Sequence, residues 1–323
     1  MTTGRTVLTA LCALVLAGTA AAQGFPNRPI KVVIPIAAGS SGDILLRQVT
    51  PRMSEILGQT VYVENRTGGN GLIGTQAVAG APADGYTLLF AYSQIMAVNP
   101  SLYRKLPYDP LKDFTGVGRV AAQALVFVAS KAATPAKTVQ GFQAWAKANP
   151  GKLNYASSGS GTSAHLAGAY YGQVAQVPAQ HVPYNSVPQA LADLGRGEIS
   201  YMLYPYPGLV PVIQSGRVQM LAVTGPKRSA FAPELPTMVE LGYSDFVIGP
   251  WYAFFAPAGT PKEAVDKVNH ALNAALADPQ VQKLLADSAT DAWPSSPDEL
   301  NRFTASEIER YRRLVQISGA KVE

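Results

Sequence analysis

Short β-branched apolar runs alternate along this chain with stretches whose apolar residues recur at helical spacing, and small polar residues separate them. Residues 30–34 are one such run and predict a buried strand. The helical pattern of residues 44–57 follows and is stopped by Gly58. Residues 61–63 predict a second strand, 74–80 a short helix and 86–92 a third strand. The pattern then restarts, with strands at 125–128, 152–156, 181–183, 199–203 and 220–224 and helices at 139–148 and 164–174. An aromatic strand at 251–255, a largely helical stretch at 261–285 and an amphipathic helix at 307–317 complete it. Strands alternating with helices predict βαβ units around a parallel sheet.

One element occurs twice. Residues 35–47 and 156–170 each hold a strand end, a loop of small residues and a helix start. The first loop is Ala38, Gly39, Ser40, Ser41, Gly42 and Asp43; the second is Ser158, Gly159, Ser160, Gly161, Thr162 and Ser163. Such a loop aims free backbone N–H groups at whatever sits over the helix start, and the helix dipole favours a negative charge there. A single turn of this kind is common as structure alone. Its recurrence in two halves of one chain favours a ligand carrying carboxylate, phosphate or sulfate.

The chain has 323 residues, 47% of them hydrophobic, enough for a buried core and against a disordered chain. At roughly 150 residues per domain, that length suggests two domains. Lysines and arginines exceed acids by five, but they are scattered singly, so nucleic acid is not an expected partner. Residues 1–22 carry Arg5, a short apolar stretch and Ala20-Ala21-Ala22, the pattern of a cleavable export signal too short to span a membrane. Cleavage there implies a periplasmic protein. Cys12, the sole cysteine, falls inside that segment, so the mature chain has no thiol, disulfide or cysteine metal ligand.

The catalytic signals are negative. Gly159, Gly161 and Ala164 fit the dinucleotide fingerprint, but no acid stands at the end of the next strand, where 181–184 reads HVPY. No serine sits in G-x-S-x-G, and His165, His181 and His270 are too dispersed for a metal set. No cofactor and no metal are therefore expected. His165, in the first turn behind the second loop, has two readings: a donor to a bound anion, or a brace bonded to its own loop. Asp43 reads as a residue that caps its helix and braces the first loop rather than as a catalytic acid.

Motifs in order along the mature chain carry a resemblance. They are PNRPI at 26–30, the 35–43 loop with Arg47, VENR at 63–66, ADGYTLL at 83–89, NPSLY at 99–103 and PYDP at 107–110. SSGSGTSAH at 157–165, HVPY at 181–184, LAVT at 221–224, LPT at 235–237 and APAGTP at 256–261 continue it. The sequence resembles the tripartite tricarboxylate transporter substrate-binding proteins, the Bug family of extracytoplasmic solute receptors. The resemblance implies an α/β, two-lobe periplasmic-binding-protein fold of type II character, each lobe a mixed sheet flanked by helices. Lobe 1 would take residues 23–124 and 247–323, lobe 2 residues 125–246. It also implies a monomer that binds a small carboxylate in the interlobe cleft through the two loops and delivers it to membrane transporter subunits.

Tyr92, Ser93, Tyr184, Tyr204 and Trp251 join the loops and His165 as expected ligand-binding residues, with Tyr184 and Trp251 also readable as core. Many members have Met-Phe-Asp where this chain has Met202-Leu203-Tyr204. Loss of that acid removes a partner for a ligand amino group and adds an aromatic wall, pointing to a dicarboxylate with an apolar, even aromatic, body. A receptor feeding a signalling system is the alternative, and an enzyme on a binding-protein fold a weaker one.

Overall fold

A computed structural model describes residues 24–321, so the export segment expected at 1–22 lies outside the described residues. Two sheets organise the chain. The first holds six strands, β1 (Ile30–Ile34), β2 (Val61–Asn65), β3 (Thr87–Tyr92), β4 (Phe114–Ala122), β10 (Trp251–Pro257) and β11 (Asp291–Ala292), in the order β11-β4-β10-β3-β1-β2. The second holds five, β5 (Leu125–Ser130), β6 (Asn154–Ser157), β7 (Gln180–Pro183), β8 (Tyr201–Pro205) and β9 (Val218–Val223), in the order β7-β6-β8-β5-β9. The chain crosses between the sheets at Gln123–Ala124 and returns just before Trp251.

The helices are α1 (Ser41–Leu57), α2 (Leu72–Ala79) and the single turn α3 (Asn99–Leu102) on the first sheet. The second carries α4 (Val139–Ala148), α5 (Ser163–Val174), α6 (Val187–Arg196) and α7 (Tyr206–Gln214). After the return come α8 (Lys262–Ala277), α9 (Pro279–Asp287) and α10 (Pro297–Ser318). Local chemistry sets the ends. Ser296 and Glu299 form a reciprocal capping box that starts α10, and Gly319 closes it in the left-handed region. The stretch at 261–285 splits in two because Asp278 caps a new helix whose first residue is Pro279.

The sheets are mixed rather than parallel. β1 pairs in parallel with β2 and β3, but β10 lies antiparallel between β3 and β4. β6 pairs in parallel with β7 and β8, and β5 antiparallel with β8 and β9. The same arrangement therefore recurs, with β1, β2 and β3 matched by β6, β7 and β8. A long strand that the hydrophobic pattern does not announce is β4, because Gly116, Gly118 and Arg119 dilute it. Those glycines have a packing reason: a Cβ at Gly116 would come within 2.6 Å of Asn301 on α10, and one at Gly118 within 2.8 Å of Asn269 on α8. Helices α6 and α7 are likewise hidden by Pro188, Pro207 and Pro211, two of which fall at helix starts that tolerate proline.

Candidate functional site

Both small-residue loops leave the carboxyl end of a central parallel strand, β1 and β6, and both end in a helix cap. In loop 1 the Ser40 hydroxyl accepts the Asp43 N–H at 3.4 Å. In loop 2 the Thr162 hydroxyl accepts the His165 N–H at 3.4 Å. The residue before each cap is a left-handed glycine, Gly39 at φ 79° and Gly161 at φ 78°. Each of these glycines donates its N–H to the side chain four residues on, Gly39 to Asp43 Oδ2 at 2.9 Å and Gly161 to His165 Nδ1 at 3.0 Å. One backbone design thus appears once in each lobe.

What stands behind the braces differs. Asp43, 3% exposed, receives Arg47 Nε at 3.0–3.1 Å and Asn65 Nδ2 at 2.9 Å. Burial works to raise its pKa, but Arg47, the Gly39 N–H and Asn65 together hold it below the usual carboxylate value. His165, also 3% exposed, stacks on His181 with ring centres 3.7 Å apart, and His181 stacks in turn on Tyr155. Burial first, and His181 second, push His165 down to about 4. At neutral pH its ring is therefore uncharged, with Nδ1 the acceptor and the proton on Nε2.

Some loop N–H groups remain unspent. Among the described residues no acceptor meets those of Ser41 and Gly42 at the start of α1, or those of Ser163 and Ala164 at the start of α5. Each lobe thus offers a pair of helix-start donors. Ala38, Ser41, Ser158 and Ser160 are exposed at the loop tips.

Four phenols surround the loops. Tyr252 on β10 places its hydroxyl 3.5 Å from Ser41 Oγ and pairs across the sheet with Tyr92. Its ring also explains Gly42, where a Cβ would fall 2.9 Å from it. Tyr204 on β8 lies within hydrogen-bonding reach of Ser158; burial raises the pKa of both Tyr204 and Tyr252, and the nearby Tyr204 adds to the rise at Tyr252. Ser93 is buried where β3 ends. Tyr311 of α10, fully buried, donates to the Gly249 carbonyl at 3.1 Å and lies near both Ser93 and Ser163. Across the lobes, Gly161 sits against Leu102 and Gln94 so closely that a Cβ there would meet them at 2.9 and 3.3 Å.

Several of the expected ligand residues have partners of their own in the structure. Trp251 does not face the loops: strand alternation puts it on the side opposite Tyr252, where its indole N–H donates to Glu307 at 2.9 Å and its ring meets Phe303. Tyr184 turns to lobe 2, donating to Asp193 at 2.7 Å. His165 spends Nδ1 on its own loop, which is the bracing reading. Gly39 and Gly161 spend their N–H groups the same way and are not free donors. Nothing in the sequence singles out Tyr252, Tyr311, Gln94, Asn65, His181 or Ser157, whose hydroxyl lies 2.7 Å from His181 Nε2 and accepts the Gly159 N–H. Tyr252 shares its face with Phe254 and stacks on Phe90, a placement set by the register of β10 against β3. Among the described residues no helix is long and apolar enough to cross a membrane, and no three His, Cys, Asp or Glu side chains group as metal ligands.

Comparison with known proteins agrees with this geometry. Residues 45–320 match the family model described as tripartite tricarboxylate transporter family receptor. The solved periplasmic binding protein BugD is 32% identical, covering 93% of this chain and 100% of its own, with a TM-score of 0.75. Rpa4515 of R. palustris, solved with adipate, is 31% identical over 92% of this chain and 100% of its own, with a TM-score of 0.79. MatC (Rpa3494) from Rhodopseudomonas palustris, solved with bound malate, is 30% identical over 90% of this chain and 100% of its own, at a TM-score of 0.74.

Proposed function

Because this chain belongs to the tripartite tricarboxylate transporter receptor family, whose fold is that of two-lobe solute-binding proteins, we propose that it captures a small dicarboxylate and delivers it to membrane transporter subunits. The observation that carries the reading is the pair of matched loops, one per lobe, each with two unspent N–H groups at a helix start. One carboxylate per loop satisfies those donors and both helix dipoles. Ser40, Ser41 and Gly42 would hold one end, and Ser158, Ser163 and Ala164 the other. Tyr92, Tyr204 and Tyr252 give the middle of the ligand an aromatic surround that suits a methylene chain or a ring. The adipate and malate of the two relatives support a dicarboxylate as the class.

Export through residues 1–22 would place the protein in the periplasm, as a monomer that leaves its ligand unchanged. Lobe 1 would span residues 23–124 and 247–323, and lobe 2 residues 125–246. Calorimetry tests the central idea. Adipate should bind at least tenfold more tightly than hexanoate, which has the same chain but leaves one loop empty. Equal affinities would mean that one loop alone anchors the ligand, and the two-loop reading fails.

A further inference from the structure

The faces of β10 separate two chemistries. Tyr252 points to the loops, whereas Trp251 points to a cavity of about 560 Å³ behind the interlobe crossings. Its walls come from both lobes: Gln123, Ala124 and residues 247–250 at the crossings, 224–227 with Ser229 from lobe 2, and 291–293 with Phe303, Glu307 and Arg310 from lobe 1. The lining is aromatic, with Trp251, Trp293 and Phe303 set edge to face at 4.8 and 5.2 Å between ring centres. The volume is that of an ordinary small-molecule pocket.

The polar groups at this cavity are specific. Glu307, 5% exposed, is already matched by Arg310 and by the Trp251 N–H, so it presents no unmet charge. Arg310 gives further donors than those spent on Glu307 and the Val247 carbonyl. Lys227, on the lobe 2 side, is exposed and forms no ion pair among the described residues. Asp291, an exposed acid, also lines the cavity. Lys227 is the cation without a partner here, and Arg310, its charge met by Glu307, adds spare N–H donors from the other lobe, so the site suits one anionic group, and Asp291 disfavours a second.

We propose that this rear cavity is a second ligand site, taking an aromatic monocarboxylate whose ring packs among Trp251, Trp293 and Phe303 and whose carboxylate meets Lys227 and Arg310. A molecule seated there touches both lobes from the side opposite the loops, so its binding is linked to the angle between them. The site is separate from the front cleft, and the proposal stands whether or not the front cleft takes a dicarboxylate.

Fluorine NMR of 4-fluorobenzoate decides it. The whole protein should broaden the fluorine signal at millimolar ligand, and 4-fluorobenzyl alcohol, which lacks the charge, should respond much less. Lys227→Met, at an exposed position that leaves folding intact, should weaken binding about three- to tenfold. Ala292→Trp, which fills the cavity, should abolish it, with a melting curve showing that the variant is folded. Ser158→Trp, which blocks the front loop, should bind as the parent does. No broadening by the parent protein overturns the proposal. So does binding lost in Ser158→Trp but kept in Ala292→Trp, which would place the acid in the front cleft. Binding equal for the alcohol and indifferent to Lys227→Met would overturn the assignment of a carboxylate.

Discussion

Loop 1 and loop 2 share a backbone and differ in charge. Each has a hydroxyl cap, a left-handed glycine before it and a brace at the third helical position that accepts the glycine's N–H. In loop 1 the brace is an ionised carboxylate held by Arg47 and Asn65; in loop 2 it is a neutral imidazole stacked on His181. The geometry needs only an acceptor at that position. What the acceptor is decides which conditions the loop survives. A carboxylate beside an anion site is tolerable where its charge is covered, and Arg47 and Asn65 cover it. An imidazole needs no counter-charge but accepts only while it is unprotonated.

Acid should therefore separate the loops, and this is the largest effect expected. His165 titrates at about 4 in the folded chain against an ordinary 6.5, so the unfolded state binds the extra proton first. Stability is full above pH 6.5 and falls as the pH drops toward 4, by on the order of 3 kcal/mol. Asp43 is also shifted down, so acid removes its contribution too, but in a lower window, as the pH falls from about its ordinary value of 3.8 through its depressed folded value. Hydrogen exchange at pH 4.5 should then show loop 2 amides, residues 158–166, losing protection while residues 39–46 keep theirs. Simultaneous loss in both loops would break the comparison.

Removing the acid brace ranks next. Asp43→Ala strands the Gly39 N–H and leaves Arg47 with Asn65 alone, and breaking such a buried hydrogen-bonded charge costs about 2 kcal/mol after allowance for the half-exposed arginine. Urea unfolding at pH 7 measures it. The expected signature is a lowered midpoint with an unchanged slope.

How much of this was readable beforehand follows from what each feature depends on. The loops, their helices and the strands feeding them are local, and 30–34 and 139–148 were legible to the residue because β-branched runs and helical spacing are local signals. β4 was not, since its glycines answer to α8 and α10, which are distant in sequence. Asp43 as a brace was legible from its place at a helix start. The matching role of His165 was left open between two readings, because only the fold brings His181 alongside and excludes water from the ring. Trp251 and Tyr252 alternate along one strand, and which of them meets the loops depends on how β10 pairs with β3, a contact distant in sequence.

A pair of glycine variants sharpens the comparison further. Gly39→Ala and Gly161→Ala force the same left-handed conformation, costing about 1 kcal/mol each. Around Gly39 a Cβ would meet nothing within 4 Å, whereas around Gly161 it would meet Leu102 and Gln94 of the other lobe. Gly161→Ala should therefore weaken adipate binding by an additional factor of several that Gly39→Ala lacks. Adding Leu102→Ala should recover that factor and leave the conformational cost in place. If Leu102→Ala recovers nothing, the closeness of the lobes at loop 2 has no bearing on binding.

The smallest effect concerns the phenols that flank each loop. Tyr252 stands by Ser41 of loop 1 and Tyr204 by Ser158 of loop 2, so the two loops have equivalent neighbours contributed by different sheets. Replacing either with phenylalanine keeps the ring and removes one hydroxyl, a change worth about 0.5–1.5 kcal/mol when the hydroxyl orders a serine at the site. Tyr252→Phe and Tyr204→Phe should each weaken adipate binding by a small, similar factor, read by calorimetry at pH 7. Trp251→Phe is the control, because it removes a donor, along with part of a buried ring, from the same strand on the opposite face. It should lower the melting temperature by a few degrees through Glu307 and leave adipate affinity where it was. A Trp251→Phe variant that loses adipate affinity as Tyr252→Phe does would mean that the strand transmits both faces to the cleft, and the assignment of one face to the loops would be wrong.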